Sequence, residues 1–296
     1  MRIVASVYII TFPPCHRAGL AFAKNGNVHI HYRVVGKGPP LALMHGSGGS
    51  SKYFDFMGWT AKLKDHYTLL LIDARGHGLS DKPHEPGAYR MRLMAGDIVK
   101  VLDDLGIEKA HYFGYSMGGY IGWGLAKYYP KRFRSLIIGG FWAEDPDTSH
   151  IDADELKFRE ILRKGTAAYV KFFRKQVEKE RKTTQKRSVI DPLLPYRLRN
   201  VSAMDTKAML AWDICASKER LYMLKLLPRL TVPCLLFVGR KDIFYKGAKK
   251  TSRLLPNGRF VSFPSLGHFE TWARLDLALP PVLKFLDDVD HGKAIK

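Results

Sequence analysis

Three residues of this chain, Ser116, Asp242 and His268, have the types and the order needed for nucleophilic attack on a carbonyl carbon. A serine hydroxyl is a weak nucleophile until a base takes its proton, and an imidazole serves best when a carboxylate fixes its tautomer. Ser116 stands in Gly114-Tyr115-Ser116-Met117-Gly118, between the apolar run Ala110 to Phe113 and the helix-like stretch Gly119 to Tyr129. A sharp strand-to-helix turn needs small residues two before and two after the serine, because larger ones would collide there. Asp242 closes Gly239-Arg240-Lys241-Asp242, just past the apolar run Cys234 to Val238, and His268 follows the run Gly258 to Phe263. Singly, such an Asp often caps a helix and such a His often sits in a turn. Three of them, each after its own predicted strand, favour one shared site, with Glu144 and Asp145 as competing acids.

Acyl chemistry also needs donors for a developing oxyanion. The loop His45-Gly46-Ser47-Gly48-Gly49 follows the apolar run Leu41 to Met44, and small residues let its backbone come close to a substrate oxygen. The backbone N–H groups of Ser47 and Met117 are the expected donors, the latter at a helix N-terminus. His45 and His77 read as structural, the first ordering its loop and the second lying in the turn Asp73-Ala74-Arg75-Gly76-His77-Gly78.

Positioning these groups requires a sheet. From Gly19 onward, short apolar runs alternate with segments of helical period, the pattern of an α/β fold: a mostly parallel central sheet with helices on both faces. Gly19–Lys24 and Val28–Val35 read as a hairpin around Asn25-Gly26-Asn27. Strands are then expected at 41–44, 67–72, 110–114, 133–139, 234–239 and 258–263, and helices at 53–63, 91–105, 117–129, 245–255 and 271–288. Between Phe141 and about Leu230 the alternation gives way to amphipathic helices broken near Gly165, Asp191-Pro192 and Asn200. The reading is an N-terminal extension over 1–18, a core over 19–142 and 231–296, and an inserted helical cap over 143–230. Tyr115, Phe141, Trp142 and Trp212 are expected to wall the substrate pocket.

The composition suits a folded soluble chain: 46% hydrophobic and 26% charged residues, with no low-complexity tract. The net charge of +20 is concentrated, since Glu155 to Asn200 carries 14 basic and 5 acidic residues. No nucleic-acid motif accompanies that excess, so it reads first as a solvated basic face and second as an attraction for anionic substrates or surfaces. Cys15, Cys215 and Cys234 form neither a CxxC pair nor a ligand cluster, which fits a reducing cytoplasm and no bound metal. The run Ile3 to Phe12 and Ala21-Phe22-Ala23 imitate an export signal, but cleavage there would remove part of the first strand. No run reaches the roughly 18 to 20 apolar residues of a membrane span. The expected protein is a monomer or homodimer without cofactor.

With these motifs in hand, the chain resembles the α/β-hydrolase superfamily over roughly Gly19 to Val289. Its matching segments are His45-Gly46-Ser47-Gly48, Asp73 to Ser80, Gly114 to Gly119, Gly239 to Asp242 and Gly267-His268. Within that superfamily it looks like the cofactor-free carboxylesterases and their relatives, including enol-lactonases, cofactor-independent haloperoxidases and C–C bond hydrolases. The resemblance implies an acyl-enzyme on Ser116, with His268 as base, formed from an ester of small to medium acyl chain. A serine at the elbow argues against the dehalogenase and epoxide-hydrolase branches, which use aspartate there, and Gly49-Ser50 departs from the C–C hydrolase pattern. The alternatives are a lactonase or C–C hydrolase with the same triad, a non-enzymatic ligand receptor of the same fold, and nucleic-acid binding through the basic segment.

Overall fold

The computed structural model describes residues 20–143, 153–183 and 191–295. Eight strands form one sheet: β1 Ala21–Asn25, β2 Val28–Val35, β3 Pro40–Met44, β4 Thr68–Ile72, β5 Ala110–Tyr115, β6 Phe133–Gly139, β7 Cys234–Gly239 and β8 Gly258–Phe263. Their order is β1-β2-β4-β3-β5-β6-β7-β8, antiparallel through β2 and β4 and parallel from β4 to β8. The fold class is therefore the expected one, down to the opening hairpin.

The central strands are buried along nearly their whole length, yet their side chains still sort by strand period. Leu41, Leu43, Leu69, Leu71, Phe113 and Tyr115 belong to one core, while Ala42, Met44, Leu70, Ile72, Ala110 and Tyr112 belong to the other. Helices α1 Lys52–Phe56, α2 Trp59–Leu63, α11 His268–Ala273 and α12 Leu275–Asp290 cover the first face; α3 Met91–Asp104, α4 Met117–Tyr128 and α10 Tyr245–Ser252 cover the second. Each fully buried Leu or Phe in such a layer stabilises by roughly 1.5–3 kcal/mol, which is why this pattern fixes the frame.

Two expected helices are each divided. The stretch 53–63 breaks at Gly58, whose φ of +84° is left-handed, and the C-terminal helix begins three residues early, at His268, with Arg274 separating its two parts. Between β6 and β7 the chain forms α5 Ala153–Arg163, α6 Thr166–Thr183, α7 Leu194–Ser202, α8 Thr206–Ala216 and the short α9 Met223–Leu226. The break at Gly165 falls where expected, with φ +88°. Asn200 instead lies inside α7, which continues to Ser202 because Leu194 to Ser202 keeps helical spacing with Val201 buried. Glu144, Asp145, Cys15 and residues 1–18 lie outside the described residues. No helix among the described residues is long and apolar enough to cross a membrane.

Candidate active site

β5 delivers Ser116 through a turn that no bulkier sequence could make. A Cβ on Gly114 would lie 2.2 Å from the Gly118 carbonyl oxygen, and one on Gly118 would lie 2.3 Å from that of Met44. Between these two glycines Ser116 adopts φ 56° and ψ −114°, one of two non-glycine residues with positive φ among those described. Such backbone strain costs of order 1–3 kcal/mol and persists only where the surroundings enforce it. Here they do: Ser116 N–H donates to the Gly139 carbonyl of β6 at 2.9 Å, and its own carbonyl accepts from Tyr120 N–H in α4.

The loops after β7 and β8 bring the other two residues to it. Gly239 permits their close approach, since a Cβ there would sit 2.1 Å from the Leu266 carbonyl oxygen, and Lys241 N–H donates to that carbonyl. Asp242 Oδ1 accepts from Phe244 N–H at 3.1 Å, while Oδ2 lies 2.7 Å from His268 Nδ1. His268 Nε2 lies 3.0 Å from Ser116 Oγ. An ionised carboxylate can only accept, so Nδ1 carries the proton and Nε2 presents its lone pair to the serine hydroxyl. Tyr115 fixes the backbone behind this contact by donating its hydroxyl to the His268 carbonyl at 2.5 Å. Burial holds the Tyr115 phenol far above its ordinary pKa, with the Asp242 charge adding to the effect, so it stays a donor. Glu270 braces the same turn by accepting from Gly267 N–H at 2.8 Å.

The glycine loop lies against the serine. A Cβ on Gly46 would be 3.3 Å from Ser116 Cβ, and Ser47 beside it lines the same cavity as Ser116 and His268. Met117 opens α4 immediately after the serine, with its side chain buried. His45 braces the loop from below: Ala74 N–H donates to its Nε2 at 3.1 Å, which leaves Nδ1 to donate to the Gly46 carbonyl at 2.7 Å. Burial lowers the pKa of His45 and drives that of neighbouring His77 down to about 3, so both are neutral frame residues. The Asp73 turn is likewise structural. Although burial opposes it, the Asp73 carboxyl is held well below the ordinary range by His31 and by Ser51 and Leu79 N–H, and Arg75 pairs with buried Asp97.

Above Ser116 lies a cavity of ≈ 250 Å³ lined by Gly46, Ser47, Gly48, Tyr53, Tyr115 and Trp272 of the core with Tyr169, Phe173, Arg197 and Val201 of the insertion, besides His268 and Phe269. Of the four expected wall residues only Tyr115 is among these. Phe141 packs on Tyr120 and Phe244 at ring-centre distances of 5.3 and 4.7 Å, and Trp142 covers Gly247 so closely that a Cβ there would meet its ring at 1.9 Å. Trp212 joins the core of the insertion with Leu162, Met204 and Met209. The chain turns away after β6 at Gly140, φ +58°, which is why residues next to the site in sequence leave it in space.

The residues that sequence reasoning missed are Tyr53, Tyr169, Phe173, Arg197, Val201, Phe269 and Trp272. A signal existed in the insertion: Tyr169 and Phe173, like Arg197 and Val201, are four residues apart on one helix, so each pair shares a face.

Comparison with known proteins agrees with the fold. A family model described as the alpha/beta hydrolase fold matches residues 39–272. The chain is 32% identical over 155 residues to a provisionally assigned carbamate hydrolase, RutD, of Azorhizobium caulinodans, a match spanning 51% of this chain and 56% of that protein. It is also 32% identical over 128 residues to bifunctional epoxide hydrolase 2 of Mus musculus, spanning 41% of this chain and 22% of that one. A thermophilic esterase from Thermogutta terrifontis superposes with a TM-score of 0.77 at 21% identity, over 91% of this chain and 98% of the other, a likeness of fold.

Proposed function

Since the chain belongs to the α/β-hydrolase fold family, we propose that it cleaves carboxylic esters through a Ser116–His268–Asp242 triad and an acyl-enzyme. The observation that carries the reading is the unbroken relay of contacts, 3.0 Å from Ser116 Oγ to His268 Nε2 and 2.7 Å from His268 Nδ1 to Asp242 Oδ2, at the floor of the cavity. His268 takes the Ser116 proton as Oγ attacks the ester carbonyl, and the tetrahedral oxyanion is met by backbone N–H of Ser47 and Met117. Collapse expels the alcohol, which receives the proton from His268. Water activated by His268 then releases the acid. Asp242 remains ionised throughout and stabilises the imidazolium.

Serine at the elbow separates this reading from the epoxide-opening chemistry named for one relative, which in its branch starts from aspartate. Hydrolysis of p-nitrophenyl esters from acetate to decanoate, by wild type and Ser116→Ala at matched concentration, tests it. Activity with a chain-length optimum, abolished in the variant, is expected; a folded wild type that cleaves none of the series, or a variant that retains activity, overturns it.

A further inference from the structure

The cavity over Ser116 is walled mainly by rings. Tyr53, Tyr115, Tyr169, Phe173, Phe269 and Trp272 line it, and Val201 is the one aliphatic side chain among the lining residues described. Aromatic residues are 12% of the chain but nearly half of this lining, and no Leu or Ile of the two sheet layers takes part. Tyr115 and Trp272 are buried against each other, with ring centres 4.6 Å apart. The other four are only partly buried and come from two sides, Tyr53 of α1 and Phe269 of α11 from the core, Tyr169 and Phe173 of α6 from the insertion. Arg197 of α7 braces two of them, its guanidinium carbon 3.9 Å from the ring centre of Phe269 and 5.0 Å from that of Phe173. Burial raises the phenols of Tyr53 and Tyr169, the latter to about 12, so these rings carry no charge at neutral pH.

Size narrows what such walls can hold. An apolar cavity of about 150 Å³ takes one benzene molecule. At ≈ 250 Å³ this one has room for a single ring on a short tether to a carbonyl at Ser116, and too little for two rings. Aromatic rings attract one another through edge-to-face and offset contacts beyond what their buried area supplies, whereas a flexible aliphatic chain gains area alone and loses rotamer freedom when confined. Resting on the reading of Ser116 as nucleophile, we infer that the acyl part of the preferred ester carries a single aromatic ring, held between the rings of α6 and those of Tyr53 and Phe269.

The test pairs methyl esters that differ only in the aromaticity of the ring: 3-phenylpropionate against 3-cyclohexylpropionate, and 4-phenylbutyrate against 4-cyclohexylbutyrate, each rate divided by that ester's rate of hydrolysis by hydroxide. Cyclohexyl has the larger apolar surface, so burial of area alone ranks it level with phenyl or above it. Wild type is expected to favour the phenyl member of at least one pair by on the order of fivefold or more in kcat/KM. Tyr169→Leu and Phe173→Leu, which keep the wall filled, should each shrink that ratio, and Phe269→Leu should do so independently from the core side. Residues that only support the fold would lower both members of a pair together and leave their ratio unchanged. That result in all three variants, or parity or a cyclohexyl preference in wild type, overturns the inference. Should wild type cleave none of the four, equilibrium binding to Ser116→Ala decides. Tighter binding of 3-phenylpropionamide than of 3-cyclohexylpropionamide, lost with Phe173→Leu, would leave the ring site standing while the hydrolase reading falls; equal binding of the two would remove the ring site as well.

Discussion

In the core wall of the cavity the groups nearest the reacting centre are Gly46 and Ser116, held at strand ends by backbone hydrogen bonds and by glycines that admit no side chain, and His268 at the start of α11, held by the Tyr115 hydroxyl and Asp242. The insertion wall is made of helix faces, Tyr169 and Phe173 on α6 with Arg197 and Val201 on α7, held by side-chain packing. Backbone constraints fix atoms to fractions of an ångström, as attack on a carbonyl demands. Packed side chains can be exchanged without disturbing the sheet, which suits the choice of what enters. On this contrast, changes on the core side should remove turnover, and changes on the insertion side should redirect it.

The largest effect expected is from His268→Ala, which should lower kcat for a good ester by roughly 10⁴-fold or more while leaving the melting temperature near that of wild type; combining it with Ser116→Ala should add little, because the two act as a unit. Asp242→Asn should cost less, roughly 10²- to 10⁴-fold, by favouring the wrong imidazole tautomer while keeping the geometry. If steady-state kinetics instead showed a KM effect alone for either variant, the division between the two walls would break down.

Much of the core wall is legible in the amino-acid sequence. Ser116, Asp242 and His268 each follow an apolar run at the strand end where open sheets expose their sites, and glycines mark the tight turn. The insertion wall is not legible in the same way. An aromatic at helical spacing has the same appearance whether it faces a cavity or a helical core, so Trp212 and Tyr169 could not be told apart without knowing how α5, α6 and α8 pack. Phe141 and Trp142 mislead for a different reason: they follow β6 toward the site, but Gly140 redirects the backbone and Phe244 and Gly247 receive their rings.

The frame beneath the core wall should also be acid-sensitive. His77 is held near a pKa of about 3 by burial, whereas an unfolded histidine titrates near 6.5. Below about pH 6.5 the unfolded chain therefore binds a proton that the folded one refuses, and stability falls as pH drops toward 3, by up to ~1.4 kcal/mol per pH unit from this residue. Denaturant midpoints at pH 7 and pH 5 should show that loss, and His77→Gln should reduce the difference.

The smallest effect expected is on the insertion side. Phe173→Ala should move the acyl-chain optimum to longer esters and change kcat/KM by several-fold to about tenfold, through KM more than kcat. An unchanged chain-length profile would mean that α6 does not shape the acyl pocket.

The most direct test of the triad is covalent. Intact-protein mass spectrometry after exposure to a fluorophosphonate should show a single adduct, mapped by peptide sequencing to Ser116, lost in Ser116→Ala and strongly slowed in His268→Ala. An adduct that persists in Ser116→Ala, or labelling of Ser116 at an unchanged rate without His268, would contradict activation of this serine by this histidine.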